Sequence, residues 1–254
     1  MKLRILGSGT SSGVPRIGND WGACDPAEPR NQRTRASALI EHAGTRILID
    51  TSPDMRAQLL AAEVGMIDAV IWTHEHADHV FGIDDLRQIF HVRHRPVPAY
   101  ARPATEAALR EKFGYVFEGQ HGYPASVSLA TLPDRMAIGA IEIACADQPH
   151  ASITSTGLRF TVDGKSIGYA TDLSGMTPEM RALYAGVDLW VVDALRRKPH
   201  PSHPHLGQVL EWVDELAPQR TVLIHMDQSM DYHTLRAELP LGIEPGFDGM
   251  EIAL

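Results

Sequence analysis

The sequence predicts an α+β fold in which two β-sheets pack face to face, helices cover their outer faces, and one half repeats the other. The first observation behind this is a repeat of strand, aspartate, helix and strand. Its first copy reads Ile47-Leu48-Ile49-Asp50-Thr51, a helical stretch containing Met55-Arg56-Ala57, then Ile67-Asp68-Ala69-Val70-Ile71-Trp72. Its second copy, about 120 residues later, reads Ile167-Gly168-Tyr169-Ala170-Thr171-Asp172, a helix containing Met180-Arg181-Ala182, then Val187-Asp188-Leu189-Trp190-Val191-Val192. A duplicated βα layer suits two packed sheets with helices outside. The second observation is a pair of hairpins. Ser37 to His42 and Arg46 to Thr51 flank Ala43-Gly44-Thr45, while Gly157 to Val162 and Lys165 to Thr171 flank Asp163-Gly164, a favoured two-residue turn. Residues 1–254 are expected to form a single domain.

The chain opens with a strand, Lys2 to Leu6, followed by Gly7-Ser8-Gly9-Thr10-Ser11-Ser12-Gly13-Val14-Pro15. Such a loop either cradles a phosphate with its backbone N–H groups or is a plain tight turn. Arg16 to Arg33 is polar and rich in turn-forming residues, a surface excursion. Pro53 to Val64 carries apolar Met55, Leu59 and Leu60 at helical spacing, and Val80, Ile83, Leu86, Ile89 and Phe90 mark one face of another helix. His91 and His94 at its end read as surface residues. A strand at Val97 to Tyr100, a helix at Thr105 to Phe117 and strands at Val127 to Leu132 and Ala140 to Ala144 follow. Gly119 to Ser126, which holds His121, reads as a mobile loop.

Composition bounds the function. Apolar content of 44% and charged content of 22% are ordinary for a globular chain. No apolar run approaches the ~18 residues that span a bilayer, and Met1 to Leu6 lacks a signal-peptide core, so a cytoplasmic location without membrane contact is expected. The two cysteines, Cys24 and Cys145, imply no disulfide framework. A net charge of −9 argues against long nucleic acids, whose phosphates demand a basic face.

The chemistry is carried by Thr73-His74-Glu75-His76-Ala77-Asp78-His79, which follows the apolar run Ala69-Val70-Ile71-Trp72. On extended chain His74 and His76 leave the same face and can grip one cation. If a helix begins near Asp78, then Asp78 and His79 turn the other way and offer ligands to a second. Imidazole and carboxylate are donors that zinc, manganese and iron all accept.

The spacing His74-Glu75-His76-Ala77-Asp78-His79 resembles the signature of the metallo-β-lactamase superfamily of hydrolases. The resemblance implies an αββα four-layer sandwich with two divalent metal ions, zinc or manganese with iron as an alternative, at one edge of its sheets. It also implies further ligands at strand ends: His150 after Ile141 to Ala146, Asp172 after its strand, and His225 after Thr221-Val222-Leu223-Ile224. In that pattern His74, His76 and His150 hold one metal, Asp78, His79 and His225 the other, and Asp172 lies between them. Asp50, offered by the repeat, either supports a ligand histidine from behind or caps a helix.

The remaining signal is Asp193-Ala194-Leu195-Arg196-Arg197-Lys198-Pro199-His200-Pro201-Ser202-His203-Pro204-His205. Its strand is the partner, in the repeat, of the one that carries the metal motif. A phosphoester hydrolase needs a proton for the departing oxygen. His203, oriented by Asp193, is the expected general acid, with His200 and His205 as alternates. A strand ending in an acidic residue, then a loop with Ser202-His203, resembles the phosphodiesterase branch of the superfamily, which includes tRNase Z and the PhnP family of phosphoribosyl cyclic phosphodiesterases. Gly13-Val14-Pro15, Trp21-Gly22-Ala23-Cys24 and the closing Gly246-Phe247-Asp248-Gly249-Met250-Glu251-Ile252 resemble the PhnP family most. That family carries a cysteine-based structural zinc in the early excursion, and with Cys24 alone there, and Met226-Asp227-Gln228 after His225, this chain is expected to lack it.

The expected function is therefore a dinuclear phosphodiesterase in which metal-bound hydroxide, with Asp78 among its supporting residues, attacks a small, cyclic nucleotide or ribose phosphate. An RNA 3′-processing nuclease and a non-catalytic nucleotide-binding module are the alternatives. The expected partners are a small phosphodiester or nucleotide and, as an open alternative, a second copy of the chain in a homodimer.

Overall fold

The computed structural model describes residues 1–254. The first half forms β1 (Lys2–Gly7), β2 (Ser37–His42), β3 (Thr45–Ile49), α1 (Met55–Ala61), β4 (Ala69–Ile71), α2 (Ala77–Val80), α3 (Leu86–Arg93), β5 (Val97–Ala101), α4 (Pro103–Glu118) and β6 (Val127–Thr131). The second forms β7 (Arg135–Ile138), β8 (Ile141–His150), β9 (Ile153–Val162), β10 (Lys165–Ala170), α5 (Pro178–Tyr184), β11 (Leu189–Asp193), α6 (Leu206–Leu216), β12 (Thr221–Ile224), α7 (Tyr232–Glu238), β13 (Ile243–Pro245) and β14 (Glu251–Ala253). Seven strands make each sheet, in the orders β14-β1-β2-β3-β4-β5-β6 and β13-β12-β11-β10-β9-β8-β7.

Side-chain alternation along the strands explains the four layers. In β3, Ile47 and Ile49 point into the core between the sheets, and Leu48 points into the core under the helices. In β11, Leu189 and Val191 point between the sheets, and Trp190 and Val192 face the outer helices. Both faces of these strands are buried, so they read as continuous apolar runs. The result is three cores for four layers, αββα.

The repeat appears as two matched crossovers. β3 pairs in parallel with β4 across α1, and β10 pairs in parallel with β11 across α5. Parallel pairing aligns the carboxyl ends of β3 and β4 in one sheet, and of β10, β11 and β12 in the other. These ends carry the site.

Several elements depart from expectation. The helix marked by Val80 to Phe90 is broken into α2, a short 3-10 turn at Ile83–Asp85, and α3. Gly82 is the cause: its N–H bonds Thr51 O at 2.9 Å, and a side chain there would strike the Ser52 carbonyl. The strand expected at Ala140 to Ala144 is β8, which runs on to His150 because β9 pairs with it along its whole length. β7 was not expected at all, since four alternating residues carry almost no periodic signal. Gly119 to Ser126 is pinned by reciprocal backbone bonds between Gln120 and Tyr123.

Candidate metal centre

The donors converge because the backbone turns sharply at three strand ends. Asp50 and His225 directly follow β3 and β12, Asp172 comes two residues after β10, and Asp50, Asp172 and His225 have φ of 61°, 53° and 57°. This left-handed conformation is uncommon outside glycine. It throws each side chain off the strand direction. Strain of this kind persists only where surrounding structure over-determines it.

The two donor groups expected for two cations are present, and a third, Asp172, Asp193, His203 and His225, overlaps the second. His74, His76 and His150 form the first; Asp78, His79, Asp172 and His225 form the second; within each, the donor atoms lie within 4.8 Å of one another. Two ligands held ~2.0–2.1 Å from a tetrahedral cation stand about 3.3 Å apart. The observed separations match that geometry. His76 Nδ1 lies 3.3 Å from His150 Nε2, His79 Nε2 lies 3.3 Å from Asp78 Oδ2, and His225 Nε2 lies 3.2 Å from Asp172 Oδ1. Asp172 Oδ2 lies 3.2 Å from His79 Nε2 and 3.9 Å from His74 Nε2, so this carboxylate faces both groups. His74 Nε2, His79 Nε2 and His225 Nε2 are buried without a hydrogen-bond partner. Buried polar atoms are ordinarily satisfied, and a divalent cation in each group would satisfy these.

The ligand tautomers are set from behind. His79 Nδ1 donates to Asp50 Oδ2 at 2.7 Å, which leaves Nε2 for a metal. Asp50 is itself held by the Thr73 N–H at 2.7 Å and the Thr73 hydroxyl at 2.8 Å. The open choice for Asp50 resolves here, because the residue preceding α1 is Asp54. His150 Nδ1 donates to the Ser202 carbonyl at 3.0 Å. Asp50→Ala is expected to weaken metal binding by about 10–100-fold while the fold persists, as read by a competitive chelator titration beside a circular-dichroism melt.

The two groups differ electrostatically. Burial and the His79 charge hold His74 well below the usual histidine range. Burial opposes the charge of His225 and His79 as well, but Asp172 and its neighbouring carboxylates override it, pushing His225 up to about 9 and His79 well above its ordinary value. Without a metal, His79 and His225 of the second group therefore hold protons at neutral pH that His74 does not, and a cation entering that group must displace them. Loading the protein with zinc in weak buffer is expected to release protons, with affinity rising with pH. Proton-neutral uptake would contradict this electrostatic account.

Beside the metal donors, His203 Nδ1 lies 2.7 Å from Asp193 Oδ2, at the end of β11. The His203 ring stacks on His225 with centroids 5.0 Å apart, and stands edge-on to His150 at 4.9 Å. Of the three histidines weighed for this place, only His203 reaches Asp193. His200 lies one ring further out, 5.2 Å from His203, and His205 precedes α6 with its backbone bridged to Arg196.

Two side questions from the sequence resolve in the structure. The Gly7 to Pro15 loop spends its donors internally: the N–H groups of Ser8, Gly9, Thr10, Gly13 and Val14 bond Asp248, Thr34, Met226, Thr10 and Arg33. It is a turn that ties β1 to the segment after His225, and those five N–H groups are spent on that tie and on the turn itself. Around Cys24 no group of three metal donors gathers. Buried Arg33 sits 3.7 Å from the Cys24 thiol and donates to the Met230 and Asp227 carbonyls at 2.6 and 3.4 Å. A structural metal does not fit those residues. A guanidinium cross-links the excursion to the His225 segment there instead.

Thr73 and Ser202 are the contributors that sequence reasoning missed. Thr73 stands inside the motif and its side chain carries no chemistry of its own. Ser202 acts through its backbone, which no residue type announces.

Comparison with known proteins agrees with this geometry. The Beta-lactamase superfamily domain matches residues 45–226. An octanoyltransferase of Porphyromonas gingivalis is 36% identical over 260 residues, covering 99% of this chain, which spans only 51% of that protein. The crystal structure of a diphosphatase from the PhnP family superposes with a TM-score of 0.90 at 32% identity, covering 99% of this chain and 96% of the other. Human tRNase Z, short form, shares the fold with a TM-score of 0.74 at 18% identity, covering 100% of this chain and 99% of the other. No helix is long and apolar enough to cross a membrane. Its three-core sandwich, its paired His/Asp donor groups and this match together place the chain in the β-lactamase superfamily, as a hydrolase of the metallo-β-lactamase fold.

Proposed function

We propose that this chain hydrolyses small phosphodiesters, cyclic nucleotide or ribose phosphates foremost, with two divalent cations, zinc or manganese, as cofactors. The observation that carries the reading is the Asp193–His203 pair, 2.7 Å apart and packed against rings of both metal groups. Hydrolysis of a thioester, whose thiolate departs readily, has less use for a proton donor outside the metal ligands.

His74, His76 and His150 would hold one cation, and Asp78, His79 and His225 the other, with Asp172 shared. Bound there, such cations supply a nucleophile from water and polarise phosphate oxygens. The protein's own residues do the rest. Asp193 accepts from His203 Nδ1 and orients the ring; in the imidazolium form, which the Asp193 carboxylate stabilises by its charge, Nε2 also carries a proton and gives it to the departing oxygen. Asp50 and the Ser202 carbonyl keep His79 and His150 in the ligating tautomer. The formal charge of −9 supports a small substrate over a long nucleic acid.

A second reading is hydrolysis of a diphosphate bond, favoured by the similarity to the PhnP-family diphosphatase. The same proton donor serves a departing phosphate. Octanoyl transfer, named for a protein of which this chain spans half, is no part of the proposal.

The test is hydrolysis of bis(p-nitrophenyl) phosphate, 2′,3′-cyclic AMP, ADP and a precursor tRNA by protein loaded with zinc or manganese. Turnover led by the cyclic phosphate supports the first reading, and turnover led by ADP supports the second. Precursor cleavage would point to RNA processing. Tight nucleotide binding without turnover, despite two bound metals, would make the chain a binding module and overturn the proposal.

A further inference from the structure

His200 is absorbed by none of the roles above, yet its surroundings are specific. The Ser202 N–H donates to His200 Nδ1 at 3.3 Å, and the Ser202 hydroxyl lies at the same distance from that nitrogen. A backbone N–H only donates, so Nδ1 must be the bare, accepting nitrogen. The hydrogen of the neutral ring then sits on Nε2, which has no hydrogen bond within the protein. The opposite end of the same residue, the Ser202 carbonyl, receives the His150 Nδ1–H at 3.0 Å. One residue thus orients a metal-group ring on one side and the His200 ring on the other.

The loop that carries this arrangement is stiffened. Arg196 donates back to the Lys198 and Pro199 carbonyls at 3.1 and 2.7 Å, and Pro199, Pro201 and Pro204 restrict its backbone. His200 is half-buried, with its ring centroid 5.2 Å from that of His203. A donor one ring beyond the group that protonates the departing oxygen meets the part of the substrate attached to that oxygen.

We propose that His200 is a specificity-determining residue whose Nε2–H binds a sugar oxygen on the leaving group, so that the site selects ribose-type over aryl leaving groups. The inference rests on the phosphodiesterase reading of the site. A p-nitrophenolate carries its nitro oxygens only at the far end of the ring, whereas a ribose offers ring and hydroxyl oxygens close to the departing one. Loss of one neutral hydrogen bond is worth about a tenfold change.

The experiment compares wild type, His200→Phe and His200→Gln on 2′,3′-cyclic AMP and bis(p-nitrophenyl) phosphate, in metal-loaded protein. His200→Phe is expected to lose about tenfold in kcat/KM on the cyclic nucleotide, through KM, and to leave the aryl ester unchanged. His200→Gln, whose amide N–H lies near the position of Nε2–H, is expected to recover most of the loss. Equal losses on both substrates, or none on either, would overturn the proposal. The imidazole 15N spectrum is expected to show the Nε2–H tautomer for His200, and adenosine 3′-monophosphate is expected to shift that signal. If wild type turns over neither ester, the functional reading fails, and the nucleotide titration still decides whether His200 contacts a sugar: an unmoved signal overturns the contact.

Discussion

Asp172→Ala is expected to lower kcat/KM for every phosphate ester by roughly 10³-fold or more, since metal-ion catalysis supplies several kcal/mol of transition-state stabilisation. The carboxylate is buried, and its two oxygens each stand 3.2 Å from a different ligand histidine, Oδ2 from His79 and Oδ1 from His225. Burial opposes its charge, but His225 and His79 hold it well below the usual carboxylate range. Oδ2 also stands 3.9 Å from His74 Nε2 of the other group, so the carboxylate faces both groups and its deletion would unlink the two cations they would hold. Alanine also has to adopt φ of 53°, which disfavours it by about 1 kcal/mol. Asp172→Asn is therefore the better control, because asparagine tolerates this backbone and loses only the charge. Metal analysis beside steady-state rates checks the prediction: both variants should retain fewer than two metals per chain. A variant that kept two metals and a rate within tenfold of wild type would remove Asp172 from the shared position.

His203→Ala is expected to lower kcat by about 10²–10⁴-fold, the usual worth of a positioned general acid, with metal content unchanged. His203 makes its close contact with Asp193, and its ring only packs against the ligand histidines. The metal donors therefore keep their partners when it is removed. The deficit should depend on the leaving group. An alkoxide departs poorly without a proton, so the cyclic nucleotide should show the full loss. A p-nitrophenolate departs readily, so bis(p-nitrophenyl) phosphate should show much less. Equal deficits on both substrates would argue that His203 only supports the metal ligands. Asp193→Asn should follow His203→Ala in direction, since an amide cannot hold the Nδ1–H as a carboxylate does.

The metal motif was legible because its residues are adjacent. His74, His76, Asp78 and His79 span one strand end and one helix start, and local periodicity alone separates them into two directions. The repeat was legible for a similar reason: Asp50 and Asp172 each close an apolar strand, and a β-strand buried on both faces leaves a continuous signature. His150 and His225 were legible only through the family resemblance, because a single histidine after a strand carries no local signal of its partner.

Three things were decided by tertiary structure. Asp50 became the support of His79 rather than a helix cap, because the parallel register of β3 and β4 lays its carboxylate under the motif. His203 was separated from His200 and His205, because the distance to Asp193 depends on how a proline-rich loop folds back over β11. The Gly7 to Pro15 loop became a tie between β1 and distant segments, because the N–H groups of Ser8, Gly9, Thr10, Gly13 and Val14 are taken by Asp248, Thr34, Met226, Thr10 and Arg33, most of them distant in sequence. The sequence by itself determined most of the strands and helices and which donors the chain holds, since backbone periodicity and residue chemistry are local properties. Only the fold decided which donor faces which partner, since hydrogen-bond and ligand distances a few ångströms long join residues up to 253 positions apart.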